Sequence, residues 1–153
     1  MGKIEERLKE LGLSLPPAPS PMGSYLPWTR IGNIVFISGQ LPRRGDELIY
    51  KGKIPSQLSI EQGIEASRLC ALNAISVLKS AIVELDKVEQ ILRLTCWVAS
   101  DADFFDQPQI ANGASDLLVE VFGERGKHSR MTTGVIALPA NAPVAVDLVV
   151  AVE

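Results

Sequence analysis

The sequence has little of what metal and redox motifs require. Among its 153 residues only one is histidine and two are cysteine. Cys70 and Cys96 sit in apolar stretches with no CxxC spacing and no neighbouring histidine, so a metal site has no ligand set and is not expected, and a disulfide has no particular warrant. Positive charge is also short: 15 Lys and Arg against 18 Asp and Glu leave a net charge of -3. A phosphate-tracking surface needs clustered cations, so nucleic acid is not expected as a partner. No apolar run is long enough to span a bilayer, and no membrane is expected. The N-terminus has no secretory h-region either, because charges separate Ile4, Leu8 and Leu11; a cytoplasmic location with reduced thiols is the expectation.

What the chain does have is apolar material. Hydrophobic residues make up 46% of it, enough for one core at this length, and residues 1–153 read as one domain. Residues 1–18 hold an amphipathic helix with charges around Ile4, Leu8 and Leu11, then a connector. Gly12 is a natural C-cap, and Leu15-Pro16-Pro17-Ala18-Pro19-Ser20-Pro21 cannot continue a helix, since proline lacks the amide donor and restricts its predecessor. Gly32-Asn33 predicts a hairpin between Trp28–Ile31 and Ile34–Ser38. Both faces of the second arm are largely apolar, so both are expected to be covered. Gly39 at its end is either a bulge or turn glycine or a point where a ligand approaches the backbone. Residues 43–56 read as a flexible hairpin with a short strand over Glu47–Tyr50.

Ser59 with Gln62 forms a capping box, and apolar residues from Ile64 to Ile82 recur at helical spacing. Val88–Val98 reads as a central strand. Pro108 then opens a second helix that Gly123 closes, and within it Asn112-Gly113-Ala114-Ser115 is small and polar for a helix interior. That stretch predicts either a bend or a surface facing a ligand or a neighbouring subunit. In the last strand Val144, Val146, Leu148, Val150 and Val152 share one side, and Asp147 is the one charged residue on the other. The order of elements predicts an α+β layer, two helices on one face of a mixed sheet, and the apolar second faces argue for oligomerisation.

A donor-rich stretch, Lys127-His128-Ser129-Arg130-Met131-Thr132-Thr133, runs into an apolar strand expected at Val135–Ala137. Arg130 at its mouth suits carboxylate recognition, because the guanidinium fork makes two parallel charge-assisted hydrogen bonds. The plain alternative is a strand-end arginine with a solvated head.

Arg130, followed by Leu138-Pro139 and the Val144–Val150 strand, resembles the C-terminal signature of the RidA/YjgF family, also called endoribonuclease L-PSP-like. Gly23-Ser24-Tyr25 leading into Gly32 to Pro42, and Val121-Phe122-Gly123-Glu124, agree in order and spacing over residues 19–152. The sequence resembles a divergent branch of that family. The resemblance implies a chorismate-mutase-like fold and a homotrimer with clefts between subunits. It further implies an imine or enamine deaminase acting on small carboxylate or imine metabolites without a cofactor.

Carried over residue by residue, Arg130 is the carboxylate clamp, Tyr25 and Gly39 are cleft residues, and Asn112 and Ser115 lie near a helix asparagine. Thr132 stands where a cysteine is frequent, which excludes thiol chemistry there. A glutamate that positions water in those deaminases is here Ala145. A base must then come from elsewhere, and His128 and Asp147 are the candidates, although His128 reads equally as a structural hydrogen-bonding residue. Three readings follow: a deaminase, a non-catalytic binding module for a small carboxylate, and an endoribonuclease, the last with little physical support in the acidic charge and single histidine.

Overall fold

The computed structural model describes residues 2–18, 20 and 23–153. Pro19 and Pro21 of the expected connector lie outside the described residues, as do Met1 and Met22. The first helix, α1 (Lys3–Glu10), ends in a Schellman turn: Gly12 takes φ +71 and Leu13 N donates to Leu8 O, the left-handed position that glycine adopts without a Cβ penalty. Its other end is capped from a distance. Gly2 offers no side chain, and the Asp86 carboxylate accepts from Lys3 N and Ile4 N, both at 2.9 Å.

These two amide donors hold the Asp86 carboxyl below the usual carboxylate range. Its stabilising effect is therefore complete above the ordinary carboxylate value and is lost as pH falls through the lowered folded one. Asp86→Ala is expected to cost about 1 kcal/mol, as loss of a helix cap does. Limited proteolysis should then cut at α1 before the core, and equal protection of the two proteins would refute the capping role.

The hairpin forms as expected between β1 (Trp28–Ile31) and β2 (Ile34–Gln40), with Gly32 at φ +55. The following hairpin is minimal, β3 (Arg43–Arg44) against β4 (Glu47–Leu48). Both arms of the Ser59/Gln62 capping box are present at the start of α2 (Ile60–Ile82). Ile75 and Leu78 of this helix are fully buried, each contributing about 2 kcal/mol of transfer free energy. Then come β5 (Val88–Ala99), α3 (Gln107–Phe122), β6 (Ser129–Val135) and β7 (Val144–Val152). The main sheet has the order β1-β2-β7-β5-β6 and is antiparallel except for β5 with β6. α3 is the crossover that a parallel pair requires.

This is the α+β arrangement with a mixed sheet and helices packed against it. The residues toward the helices form rows: Ile37, Leu148 and Leu94 are paired and buried, and Arg130 continues that row on β6. On the opposite face Phe36, Trp97 and Met131 stay partly exposed in the single chain.

Two boundaries differ from the sequence expectation. The strand expected at Val135–Ala137 is instead Ser129–Val135, and Ile136 lies outside it, 83% exposed. The polar string reads as a loop, but β5 supplies a parallel partner from Arg93↔Ser129 to Ala99↔Val135, and an edge strand tolerates polar side chains. Also, β2 does not end before Gly39: Ser38 and Gly39 bulge between the Ile37↔Leu148 and Gln40↔Val146 pairs.

Candidate functional site

The sequence-predicted residues come together in two groups, not one. The first is on β6 and α3. Arg130 Nη1 donates to Asn112 Oδ1 at 2.8 Å and to Ser115 Oγ at 3.2 Å. Ser115 Oγ also lies 2.9 Å from His128 Nε2, while His128 Nδ1 is 2.6 Å from Gly126 O. A carbonyl can only accept, so Nδ1 carries the proton in the neutral ring. Nε2 then accepts from the Ser115 hydroxyl, whose oxygen accepts from Arg130. The chain of donors fixes the plane of the guanidinium with neutral partners. Among the described residues no carboxylate lies within ion-pair distance of Arg130, so its charge is oriented but not neutralised.

The rest of the donor string does other things. Lys127 pairs with Glu124 on the surface and Ser129 Oγ donates to Leu92 O. Thr132 Oγ1 is buried with no hydrogen bond of ordinary geometry, alongside Cys96, its partner in register. Burial pushes the Cys96 thiol up to about 12, partly offset by the Thr132 hydroxyl and the Arg130 charge, and pushes the Cys70 thiol well up too. Both thiols are buried and free, and a group held so firmly in its protonated form is not a nucleophile.

Gly113 explains the small residues of α3. A Cβ there would sit 2.2 Å from Ile64 O of α2, and Ala114 N donates to Ser67 Oγ across the same contact. The helices touch backbone to backbone at this point, and Asn112 and Ser115 flank it. The small-residue run therefore serves both helix contact and the holding of Arg130.

The second group surrounds a cavity of about 360 Å³ where β2 ends and β7 begins, lined by Tyr25, Gly39, Leu41, Pro139 and Ala145 among others. A cavity of this size suits a small ligand. Gly39 has no left-handed φ, and a Cβ on it would meet nothing within 4 Å. Neither backbone conformation nor packing within one chain calls for glycine there, so the open space is what the position supplies. Gln40, 7% exposed, donates from Nε2 to Ser38 O and closes the bulge. Asp147 belongs to neither group: its carboxylate accepts from Trp97 Nε1 at 3.1 Å.

The two groups lie on opposite faces of the sheet. Arg130 is in register with buried Leu94 and Leu148, whereas Ala145 is in register with Trp97 and Thr133 on the face away from the helices. Counted over two strand spacings and three residues, their backbones are roughly 14 Å apart. His128 and Asp147 are likewise on opposite faces, so they cannot act on one atom within a single chain. The Asn112–Ser115–His128 support of Arg130 and the location of the cavity depend on register and helix packing, which no sequence spacing displays.

Comparison with known proteins places this arrangement. The chain is 37% identical over 150 residues to "Protein TCP17" of Trypanosoma cruzi, covering 97% of this chain and 94% of that one. It is 29% identical over 145 residues to "2-iminobutanoate/2-iminopropanoate deaminase" of Dermatophagoides farinae, covering 92% and 95%. The crystal structure of a "putative endoribonuclease" from Shewanella oneidensis MR-1 superimposes with TM-score 0.95 at 36% identity, over 99% of this chain and 100% of that one. Residues 5–152 match the family described as "YjgF/chorismate_mutase-like, putative endoribonuclease", and the chain belongs to that YjgF/chorismate-mutase-like family.

Proposed function

We propose that the chain, acting as one domain over residues 1–153, is a RidA-like enzyme that hydrolyses reactive imine or enamine intermediates. Water adds across the C=N bond, and the products are a ketone or keto acid and ammonia. The site would be a cleft between subunits of a homotrimer in the cytoplasm, where the thiols stay reduced. One observation carries this reading: an oriented, un-neutralised guanidinium at Arg130 on the helix-side face of the edge strand β6. Such a group suits a substrate carboxylate. The separation of Arg130 from the Tyr25/Gly39/Ala145 cavity supports a cleft between copies, because one chain cannot bring both to one ligand. The similarity to the deaminase of Dermatophagoides farinae supports the reaction type.

A second reading has its own support. Ala145 lines the cavity at the position where the resembling deaminases carry a water-positioning glutamate, and alanine cannot polarise water. A trimer that grips a carboxylate metabolite without turnover fits this equally. The test is incubation with 2-aminoacrylate generated in place by a dehydratase, with light scattering expected to give the mass of three chains. Wild-type protein should speed ammonia release only weakly, and Ala145→Glu should raise the rate by about tenfold or more, short of the roughly hundredfold or greater gain of a fully positioned acid-base group. Release no faster with either protein than without protein favours the binding module. A monomer mass removes the inter-subunit cleft.

A further inference from the structure

Behind the proposed clamp, Ser115, His128 and Gly126 form a chain of contacts with the parts of a proton relay. His128 Nδ1 donates to Gly126 O, so in the neutral ring the bare Nε2 faces Ser115 Oγ at 2.9 Å. A serine hydroxyl has one hydrogen and two acceptor sites. Here the hydrogen goes to Nε2, and Arg130 Nη1 fills one acceptor site from 3.2 Å. The second site is left over, on a residue that is only half-buried. A water molecule fits it, being small and having a hydrogen to give. The ring itself is firmly seated: a Cβ on buried Gly126 would fall 2.1 Å from Leu118 O. The carbonyl that orients His128 is thus packed against α3, the helix that carries Ser115, and the three groups make one rigid unit. Orienting the guanidinium does not by itself call for an imidazole, since Asn112 Oδ1 already accepts from Arg130 Nη1 at 2.8 Å. What histidine adds is the capacity to take up a proton with every hydrogen bond kept. In the imidazolium Nδ1 still donates to Gly126 O, Nε2 donates to Ser115 Oγ, and the serine turns its hydrogen outward.

We infer that Ser115 and His128 carry the proton of the attacking water in the proposed hydrolysis, the task for which Ala145 has no group. The inference rests on the deaminase reading. Arg130 spends only Nη1 on Asn112 and Ser115, which leaves Nε and Nη2 as a fork for the carboxylate of a 2-imino acid. The imine carbon is bonded directly to that carboxylate and so lies beside the water on Ser115 Oγ. The water oxygen bonds to the carbon of the protonated imine, and the C=N π pair moves onto nitrogen. The water's proton passes to Ser115 as Ser115 gives its own to Nε2. The nitrogen of the resulting carbinolamine then takes that proton back through Ser115. As the C–N bond breaks, the hydroxyl closes to the carbonyl and its proton leaves with ammonia. Protonated imine and water have become keto acid and ammonium, and His128 is neutral again.

The experiment pairs two measurements on each protein: ammonia release from 2-aminoacrylate generated by a dehydratase, against the rate without protein, and calorimetric titration with pyruvate. Ser115→Ala and His128→Gln should each lose most of the wild-type acceleration, the glutamine keeping an acceptor for the hydroxyl but unable to take up its proton. Both should bind pyruvate nearly as the wild type does, because Asn112 still holds Nη1. Ser115→Thr, which keeps the hydroxyl, should retain the acceleration. Full acceleration in Ser115→Ala or His128→Gln overturns the relay. A parallel loss of acceleration and pyruvate affinity also overturns it, since both residues would then only support Arg130. In those two outcomes the wild type is active; a wild type no faster than the protein-free control takes down the deaminase reading and the relay together. One readout needs no variant. His128 is the sole histidine of the chain, so isotope-labelled histidine gives a single pair of ring-nitrogen signals by NMR. The neutral ring should carry its proton on Nδ1, and a proton on Nε2 would overturn the relay whatever the rates.

Discussion

Gly113→Ala is expected to lower the melting temperature by roughly 10 °C, equivalent to about 3 kcal/mol for a chain of this size. Two effects oppose each other at this position. In the interior of a helix, alanine is favoured over glycine by about 1 kcal/mol, and at an open site that term would make the change stabilising. Here the added Cβ would fall 2.2 Å from Ile64 O and 3.1 Å from Ile64 C. Backbone cannot rotate away as a side-chain end can, so α3 must move off α2 by the better part of an ångström, which overpacking measurements place well above the propensity gain. Gly63 is the internal comparison. A Cβ there meets side chains and no backbone, closest the Cδ1 ends of Ile110 and Ile54, both at 2.6 Å, which can give way more readily than a carbonyl, so Gly63→Ala should cost less. A Gly113→Ala protein as stable as the wild type would show that the helices do not touch where they are placed. Because Asn112 and Ser115 flank the contact, the displaced helix should also weaken carboxylate binding.

Arg130→Ala should nearly abolish carboxylate binding, and Arg130→Lys should weaken it by about 1 to 3 kcal/mol, since lysine keeps the charge and loses the planar fork. The fold should survive both. Arg130 makes its hydrogen bonds to Asn112 and Ser115 through a single nitrogen, and Ser115 retains His128 as a partner in its absence. The expected stability loss is about 1 kcal/mol, or a shift of a few degrees. Titration with a small keto acid alongside thermal melts separates the outcomes. Unchanged affinity in Arg130→Ala for a carboxylate that the wild type binds would sink the clamp. A large melting shift with unchanged affinity would make Arg130 a structural link between β6 and α3.

Local signals carried most of the fold. The capping box at Ser59, the Gly12 stop, the Gly32 hairpin and the alternation from Val144 to Val152 are each written in adjacent residues, and each forms as read. What stayed hidden was written between distant ones. Asp86 caps a helix that begins 83 residues earlier, and nothing near Lys3 announces it. Ser129–Val135 is a strand because β5 lies beside it, not because its own residues demand one. The candidate site divides the same way. Arg130 stands out by residue type and resemblance, but its support by Asn112, Ser115 and His128 needs the register of α3 over β6. The face on which Arg130 emerges follows from parallel pairing, and a one-residue slip would reverse it.

The buried cysteines bear on how long such a protein lasts at its work. A chain that receives reactive imines, or any electrophile able to add a thiol, risks being modified by its own cargo. Addition needs a thiolate within reach, and both of this chain's thiols are sealed in the core and held protonated. At Thr132, beside the proposed clamp, a hydroxyl that does not ionise near neutral pH takes the place of sulfur. Within the single chain neither cysteine therefore presents a thiolate to an electrophile, whatever ligand the proposed site receives.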